Sequence, residues 1–259
     1  MKGLAIELGV YNAMFWRTLI ALGLAATMFF AKRSPWPDKS VLQLHLWRGL
    51  VTSIMAGLFF WGLIYVPIAE AIALSFIAPL IALYLAAMLL GEAIGRTTIA
   101  ASVIGFSGAL VIVGGRLGGD YEDEVWLGIA AILLSAVMYA YNLILQRQQA
   151  ILAQPFEIAF FQNATVVMIY GLFGPWLMVV PPVDQLPQMA GAAVLGFFSL
   201  LCLSWAYARA EAKVLIPVEY TAFIWAAMFG WLVFSEVVTI STLMGTALIV
   251  SGCLVAARQ

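Results

Sequence analysis

Two charged side chains fall well inside long apolar stretches of this sequence, and they are the first candidates for chemistry. Arg17 lies in the stretch 10–31 and Glu219 in the stretch 214–235. A charge at the centre of a bilayer costs roughly 2.5–3.5 kcal/mol on insertion scales, so each requires a partner or a water-filled cavity. Glu219 fits a proton- or cation-binding carboxylate, and Arg17 fits a gate or an anchor for a substrate anion. Alternatively, Glu219 bonds neighbouring hydroxyl groups and Arg17 extends toward the membrane surface.

A stripe of polar side chains marks one face of a later helix. Its spacing of i, i+4, i+7 and i+11 places the side chains on one side of an α-helix, where lipid offers no hydrogen-bonding partner. The face therefore points into protein or a water-filled cavity, and hydrogen bonding between helices is the alternative use. Asn163 and its neighbour Gln162, in the next apolar stretch, could serve either way. The stripe consists of Ser135, Tyr139, Asn142 and Gln146.

Aromatic side chains occupy similar places in two parts of the chain. Trp61 and Tyr65 are four residues apart, and Trp205 is close to Tyr207. Such rings could line a cavity and stack on a planar or cationic substrate. Trp and Tyr near the ends of membrane spans are also typical of the bilayer interface, which is the alternative interpretation.

The remaining titratable residues do not combine into a catalytic or metal site. His45 is the only histidine and falls between two apolar stretches, where we expect a solvated side chain. Cys202 and Cys253 lie inside apolar stretches and indicate buried packing, with neither a disulfide framework nor a metal site. Glu92 and Glu236 fall at stretch ends on opposite membrane faces, so they cannot share one substrate as acid and base. We interpret them as structural, and no cofactor motif or enzyme is predicted.

Apolar stretches account for most of the chain. Its 259 residues are 64% hydrophobic and 10% charged, with a mean hydropathy of +1.04. Because about 20 apolar residues cross a bilayer as a helix, the composition predicts an all-α polytopic membrane helix bundle. The formal charge of -1, without a basic aromatic-rich patch, gives no indication of a nucleic-acid partner. The predicted spans are 10–31, 47–66, 69–90, 97–115, 126–146, 158–180, 189–208, 214–235 and 239–257.

The basic residues predict the orientation of these nine spans. Lys and Arg are retained on the cytoplasmic side. If the 32–48 loop is cytoplasmic, only Lys2 and Arg116 fall outside, and the C-terminus is cytoplasmic. The basic residues predicted in the cytoplasm are Lys32, Arg33, Lys39, Arg48, Arg96, Arg147, Arg209, Lys213 and Arg258.

An internal repeat organises the spans. Shifting the sequence by 144 positions superimposes uncommon residues without a gap, including two Trp and two Glu. A module with an odd number of spans inverts when it is duplicated, so the repeats are predicted to be inverted. The superimposed pairs are Trp61 with Trp205, Ala78 with Ala222, Ala82 with Ala226, Glu92 with Glu236, Thr98 with Thr242, Ser107 with Ser251, and Gly108 with Gly252.

The first repeat lacks a helix under this comparison. The span that begins near Trp126 corresponds to a position well before Met1, and residues 1–10 correspond to the end of that helix. Either the start codon is assigned too far downstream, or the protein is a natural nine-span form. We predict repeats of four and five helices at 1–116 and 117–259.

Several local motifs occur together in this chain. They are Arg17, LWRGL at 46–50, the run 69–92 with Pro79 and Glu92, Gly105 with Gly108, the run 217–222 with Pro217, and the run 230–236. These residues resemble the EamA branch of the drug/metabolite transporter superfamily. The resemblance implies a ten-helix fold of inverted five-helix repeats, a bacterial inner-membrane location and movement of small metabolites. Ser235 departs from the pattern of the first half, where Gly91 precedes the Glu.

The expected function is secondary transport by alternating access, with the substrate near the midplane where the repeats meet. Glu219, with Tyr220 and Thr221 beside it, is favoured because its repeat counterpart, Ser75, is uncharged. Coupling to protons is one option. The alternative is an integral-membrane enzyme or a non-transporting membrane module, including an inactive truncated transporter. The substrate, its direction and the oligomeric state are not readable from the residues.

Overall fold

The backbone is almost entirely helical. The computed structural model describes residues 1–32, 36–90, 96–115, 123–209 and 221–257, and no strand occurs among them. The prediction of an all-α membrane helix bundle is confirmed. Glu92, Pro217, Glu219 and Tyr220 lie outside the described residues.

The helices follow one another with short connections. Four helical segments within the described ranges are long and apolar enough to cross a membrane: Lys2–Ala31, Lys39–Tyr65, Asp123–Leu152 and Val183–Tyr207. The elements are α1 Lys2–Ala31, α2 Lys39–Tyr65, α3 Ile68–Ser75, α4 Ala78–Leu90, α5 Arg96–Gly114, α6 Asp123–Leu152, α7 Pro155–Leu172, α8 Gly174–Leu177, a 3-10 turn Val183–Gln185, α9 Leu186–Tyr207, α10 Thr221–Phe234 and α11 Ile240–Ala257.

Two predicted spans differ from the helices in the structure. The span 69–90 is interrupted after Ser75, and α4 begins at Ala78, one residue before Pro79. Proline has no backbone N–H, so it fits the first turn of a new helix better than the interior of a continuous one. The span 158–180 is helical only to Leu172, after which Gly174–Leu177 forms one turn and the chain is extended to residue 182.

Helix α1 also has an internal kink. Gly9 has a φ of 75° and a ψ of 153°, a conformation that glycine adopts without a steric penalty. Residues 2–8 and 10–31 therefore form two helical segments that meet at this glycine.

The chain folds as two compact units, each assembled from two separate segments. The first unit contains Met1–Phe60 and Leu145–Ala210, and the second contains Trp61–Ile144 and Glu211–Gln259. Residues 1–60 shifted by 144 positions become 145–204, so each unit combines repeat-equivalent segments. The repeat boundaries at 1–116 and 117–259 remain a prediction, because the segment Trp61–Ile144 of the second unit crosses position 116.

In the first unit, α1 packs against α7 and α9. Ala25 meets Ala159 and Phe197 in one apolar cluster. The small side chains of the two alanines allow close approach of α1 and α7. Cys202, predicted to be buried, is exposed on α9.

In the second unit, α5 packs against α11 and α10 packs against α3. Ala78 of α4 meets Ala136 and Ala140 of α6. Cys253 of α11 is buried, and its thiol donates to the carbonyl oxygen of Phe76 at the break between α3 and α4, with the two atoms 3.4 Å apart.

Candidate functional site

The guanidinium group of Arg17 is the main candidate for binding an anion. Its Nη2 lies 3.5 Å from the hydroxyl oxygen of Thr18. Its Nε is buried and has no hydrogen-bond partner. A Cβ built on Gly196 of α9 would stand 3.4 Å from Nη1, so the backbone of α9 lies beside the guanidinium. Arginine has five N–H donors and no acceptor, so this group can still bind an acceptor.

Neighbouring polar side chains of α1 fix that helix within the first unit. Tyr11 donates its hydroxyl hydrogen to the carbonyl oxygen of Tyr170 at 2.6 Å. Asn12 accepts from the backbone N–H of Val179 at 2.8 Å, and Trp16 donates its indole N–H to the carbonyl oxygen of the same residue at 2.8 Å. The extended segment after α8 is therefore attached to the part of α1 that precedes Arg17.

Asn163 and Gln162 are both buried on α7. The side-chain nitrogen of Asn163 donates to the carbonyl oxygen of Ala159 at 2.7 Å, within its own helix. The side-chain oxygen of Gln162 is buried without a partner. Gln162 therefore has the freer polar atom of this pair, although Asn163 is the residue that we placed in the site.

The polar stripe of α6 lies inside the protein. Ser135, Asn142 and Gln146 are buried, and Tyr139 is half-buried against the cluster of Ala78, Ala136 and Ala140. The side-chain oxygen of Gln146 accepts from Arg48, so at least this member joins two helices. A role of the other three in binding stays a prediction.

The two aromatic positions differ in exposure. The rings of Trp61 and Tyr65 meet edge to face with centroids 5.2 Å apart in the second unit. Trp205 is 55% exposed in the first unit, with the guanidinium of Arg209 at 4.5 Å from its ring. This exposure favours the interfacial interpretation for Trp205.

Ser75 lies at the break between α3 and α4. Its hydroxyl donates to the carbonyl oxygen of Ala71 at 2.8 Å, within its own helix. Interrupted helices are typical of midplane sites in transporters, because unwound backbone is tolerated where it lines a cavity. Thr221 is exposed at the start of α10, whereas its predicted site neighbours Glu219 and Tyr220 lie outside the described residues.

The structure also contains a buried polar network, of which only Gln146 belongs to the predicted polar stripe. His45 and Arg48 come from α2, Gln146 and Gln149 from α6, and Glu157 from α7. The Nε2 of His45 lies 3.0 Å from the Oε1 of Glu157, and its Nδ1 bonds the side-chain nitrogen of Gln149. Arg48 donates from Nη1 to the Oε1 of Gln149 and from Nη2 to that of Gln146, the latter at 3.2 Å.

The prediction of a solvated His45 is therefore wrong. This side chain is 0% exposed, and Arg48 is only 3% exposed. Charged and polar partners on three helices satisfy the buried groups, which makes their burial tolerable. The signal in the sequence is the spacing: His45 and Arg48 are three apart on one helix, and Gln146 and Gln149 three apart on another.

A small cavity in the second unit is lined by two carboxylates. Its volume is about 80 Å³, and Glu70 and Glu236 border it together with Thr239 and Thr242. The Oε2 of Glu236 accepts from the backbone N–H of Ile68 at 2.8 Å and thus caps the N-terminus of α3. This contact supports the structural interpretation of Glu236. Glu70, only 4% exposed, was not among the charged residues placed inside spans.

Comparison with known proteins decides the class of this molecule. Two matches to the EamA-like transporter family cover residues 1–114 and 126–258, which is nearly the whole chain. This chain belongs to the EamA-like transporter family. It is therefore a multi-pass membrane transporter of small molecules and not an enzyme, and the resemblance that we inferred from the motifs is confirmed.

The relatives of this chain are named for the transport of different compounds. The chain is 29% identical over 222 residues to the pseudopaline exporter CntI of Pseudomonas aeruginosa, covering 84% of this chain and 75% of the relative. It is 24% identical over 255 residues to a riboflavin transporter of Brucella anthropi, covering 95% and 87%. It is 24% identical over 211 residues to an S-adenosylmethionine uptake transporter of Rickettsia prowazekii, covering 82% and 70%.

A solved crystal structure shares the fold of this EamA-like chain. The TM-score is 0.66 at 22% sequence identity, and the match covers 98% of this chain and 90% of the other. At this identity the likeness concerns the fold alone.

Proposed function

We propose that this transporter moves a small anionic or zwitterionic metabolite by alternating access, with Arg17 as the anchor for the anionic group. The observation that carries the proposal is the enclosed guanidinium of Arg17, whose buried Nε has no hydrogen-bond partner. A carboxylate or phosphate oxygen supplies the missing acceptor and balances the charge. The side-chain oxygen of Gln162, also buried without a partner, is available for an N–H or O–H group of the substrate.

Alternating access is supported by the composition of the two units. Each combines segments 144 residues apart, so each contains equivalent parts of both predicted repeats. Transporters built from inverted repeats bind substrate near the bilayer midplane and alternate by rocking one part against another. Such sites are typically formed by interrupted helices, and α3 and α4 are interrupted after Ser75.

The location and the driving ion complete the proposal. Membership of the EamA-like family supports a bacterial inner-membrane location, and the distribution of Lys and Arg supports a cytoplasmic C-terminus. Glu219, with Tyr220 and Thr221, is proposed as the proton-coupling group on the sequence alone. If Glu219 couples transport to protons, Glu219→Gln removes the dependence of uptake on a pH gradient; uptake with an unchanged pH dependence contradicts this role.

The anion-anchor proposal is tested by ligand binding and by transport. Purified protein is screened by thermal shift against small monocarboxylates, amino acids, phosphate esters and uncharged analogues, and compounds that stabilise it are tested in proteoliposomes. We expect anionic compounds to stabilise the wild type, and Arg17→Gln to weaken their binding at least tenfold, since a charged hydrogen bond contributes about 1.5–3 kcal/mol.

The matched control is Arg209→Gln, which removes the same charge from an exposed position of the same unit. This variant is expected to bind and transport as the wild type does. Equal transport by the wild type and Arg17→Gln would show that Arg17 does not anchor the substrate.

A further inference from the structure

The buried polar network of His45, Arg48, Gln146, Gln149 and Glu157 connects three helices of the first unit. We propose that it is a proton-binding switch: one proton taken up at Nδ1 of His45 breaks the hydrogen bond between Gln149 and Arg48, and so loosens α2 from α6. The network contains neither Arg17 nor Glu219, and the proposal does not depend on the identity of the substrate.

The directions of the hydrogen bonds in the network are fixed by the chemistry of Arg48. Arginine only donates, so the atom of Gln149 that faces Arg48 is the oxygen. The amide nitrogen of Gln149, which also only donates, therefore faces Nδ1 of His45, and Nδ1 must accept. The single hydrogen of the neutral imidazole then sits on Nε2 and is donated to the carboxylate of Glu157 at 3.0 Å. All the donors point the same way, from Arg48 to Glu157.

An added proton cannot be accommodated without rearrangement. A hydrogen on Nδ1 of His45 would face the N–H₂ group of Gln149, so two donors would oppose each other. Rotation of the Gln149 amide presents its oxygen to His45, but the same rotation turns the N–H₂ group toward Arg48. Arg48 then keeps its bond to Gln146 and loses the one to Gln149. The chemical step is the binding of one proton to the imidazole lone pair, and its reversal returns that proton to water.

The groups that face His45 can stabilise the positive charge of its protonated imidazole. Glu157 of α7 contacts Nε2 and carries the opposite charge, and Arg48 lies on the same helix as His45. Helix α6 contributes the uncharged Gln146 and Gln149, while Phe161 of α7 stacks on the ring with centroids 4.9 Å apart. Two charged groups therefore act on the imidazole, Glu157 by direct contact and Arg48 electrostatically. Nε2 can donate to Glu157 in both protonation states, so the bond that protonation must change is the one to Gln149.

The consequence is a link between protonation and helix attachment. In the neutral state, Arg48 ties α2 to two positions of α6 that are three residues apart. In the protonated state, the bond to Gln149 is lost and the bond to Gln146 is kept. Acidification would thus increase the freedom of α2 relative to α6.

The tautomer is directly measurable because the chain contains a single histidine. Full-length protein with ¹⁵N-labelled histidine and arginine in lipid nanodiscs gives one imidazole in the nitrogen spectrum. At a pH above the titration midpoint of His45, we expect a hydrogen on Nε2 and none on Nδ1. On acidification, Nδ1 gains its hydrogen, and the guanidinium signals of Arg48 shift over the same pH range.

Two glutamate variants separate the switch from a general charge effect. In Gln149→Glu, a carboxylate accepts from both Arg48 and the protonated Nδ1, so His45 should bind its proton about tenfold more tightly, a rise of about one pH unit in the titration. Gln146→Glu places the same charge against Arg48 without a contact to His45. It should raise the pH at which His45 is half-protonated by clearly less.

Three results would overturn the proposal. The first is a neutral imidazole with its hydrogen on Nδ1, or a mixture of the two tautomers, in the wild type. The second is a titration of His45 that leaves the Arg48 signals unchanged. The third is an equal rise in Gln149→Glu and Gln146→Glu. The wild-type spectrum decides the first two even if a variant does not fold.

Discussion

Gly108 and Gly245 approach each other so closely that neither position has space for a side chain. A Cβ built on Gly108 would stand 2.5 Å from the carbonyl oxygen of Gly245, and one built on Gly245 would stand 2.5 Å from that of Gly108. The helices that carry them, α5 and α11, are equivalent under the shift of 144 positions. The close contact therefore joins two copies of the same helix.

Alanine at either glycine should separate α5 from α11. The obstructing atoms include a backbone carbonyl oxygen at each position, which cannot rotate away as the end of a flexible side chain can. Overpacking of this kind costs roughly 1–3 kcal/mol. We expect Gly108→Ala and Gly245→Ala each to lower the free energy of unfolding by that amount, measured by denaturant unfolding in a fixed detergent.

Gly114→Ala is the matched control because it lies on the same helix as Gly108. Nothing lies within 4 Å of a Cβ built there. This variant should be as stable as the wild type or slightly more so. A loss of stability equal to that of Gly108→Ala would show that the contact with Gly245 is not what makes alanine unfavourable in this helix.

Hydropathy and repetition predict much of this fold, for physical reasons. Helices that cross a bilayer must be apolar over their length, so their existence is visible in composition. Small residues such as Gly105, Gly108 and Gly245 are visible for a similar reason, since close helix packing requires them. Pro79 indicates that the span 69–90 can bend, but the residues on both sides of Ser75 are equally apolar and do not mark where the helix breaks.

The buried polar network illustrates what could not be predicted. Periodicity identifies the face of a helix but not the helix that covers it. His45 and Arg48 are about 100 positions from Gln146 and Gln149 in the sequence, and Glu157 is on a third helix. The position of His45 between two apolar stretches predicts a solvated side chain, whereas its partners on the other two helices enclose it inside the protein.

The substitution Ser235→Gly should make the protein more stable. Its φ is 55°, in the left-handed region that side chains with a Cβ disfavour, and the repeat has Gly91 at the equivalent position. The strain of this conformation outweighs the additional freedom that glycine gives the unfolded chain. We expect Ser235→Gly to raise the free energy of unfolding by about 0.5–1 kcal/mol.

A serine-to-glycine substitution inside a helix should instead lower the stability of the protein. Ser251 is exposed in α11, and glycine there should lower the stability by up to about 1 kcal/mol. If Ser235→Gly and Ser251→Gly changed stability in the same direction, the backbone conformation of Ser235 would not be the cause.

The cap that Glu236 provides for α3 depends on the absence of a side chain at Gly230. A Cβ built on Gly230 would stand 2.7 Å from Oε2 of Glu236, the atom that accepts from Ile68. Loss of a helix cap costs about 1 kcal/mol. Glu236→Ala should therefore destabilise the protein by about this amount, and Gly230→Ala should do so by displacing the carboxylate.

A double-mutant cycle tests whether the two substitutions act on one bond. If they do, Gly230→Ala should have much less effect in the Glu236→Ala background than in the wild type. Amide hydrogen exchange at Ile68 should accelerate in each variant. Additive losses of stability, or unchanged exchange at Ile68, would separate Gly230 from the cap.

The position of the Arg17 guanidinium can be changed without removing its charge. A Cβ at Gly196 would be 3.4 Å from Nη1, an ordinary contact, so Gly196→Ala should be tolerated. The additional methyl groups of valine would crowd Nη1 and displace it. We expect Gly196→Val to weaken the binding of stabilising anions about tenfold, which corresponds to about 1.4 kcal/mol. Gly191→Val, on the same helix with nothing within 4 Å, should bind as the wild type does. Equal losses in the two valine variants would indicate a disturbed α9, and no loss in either would show that anion binding does not depend on this placement of Arg17.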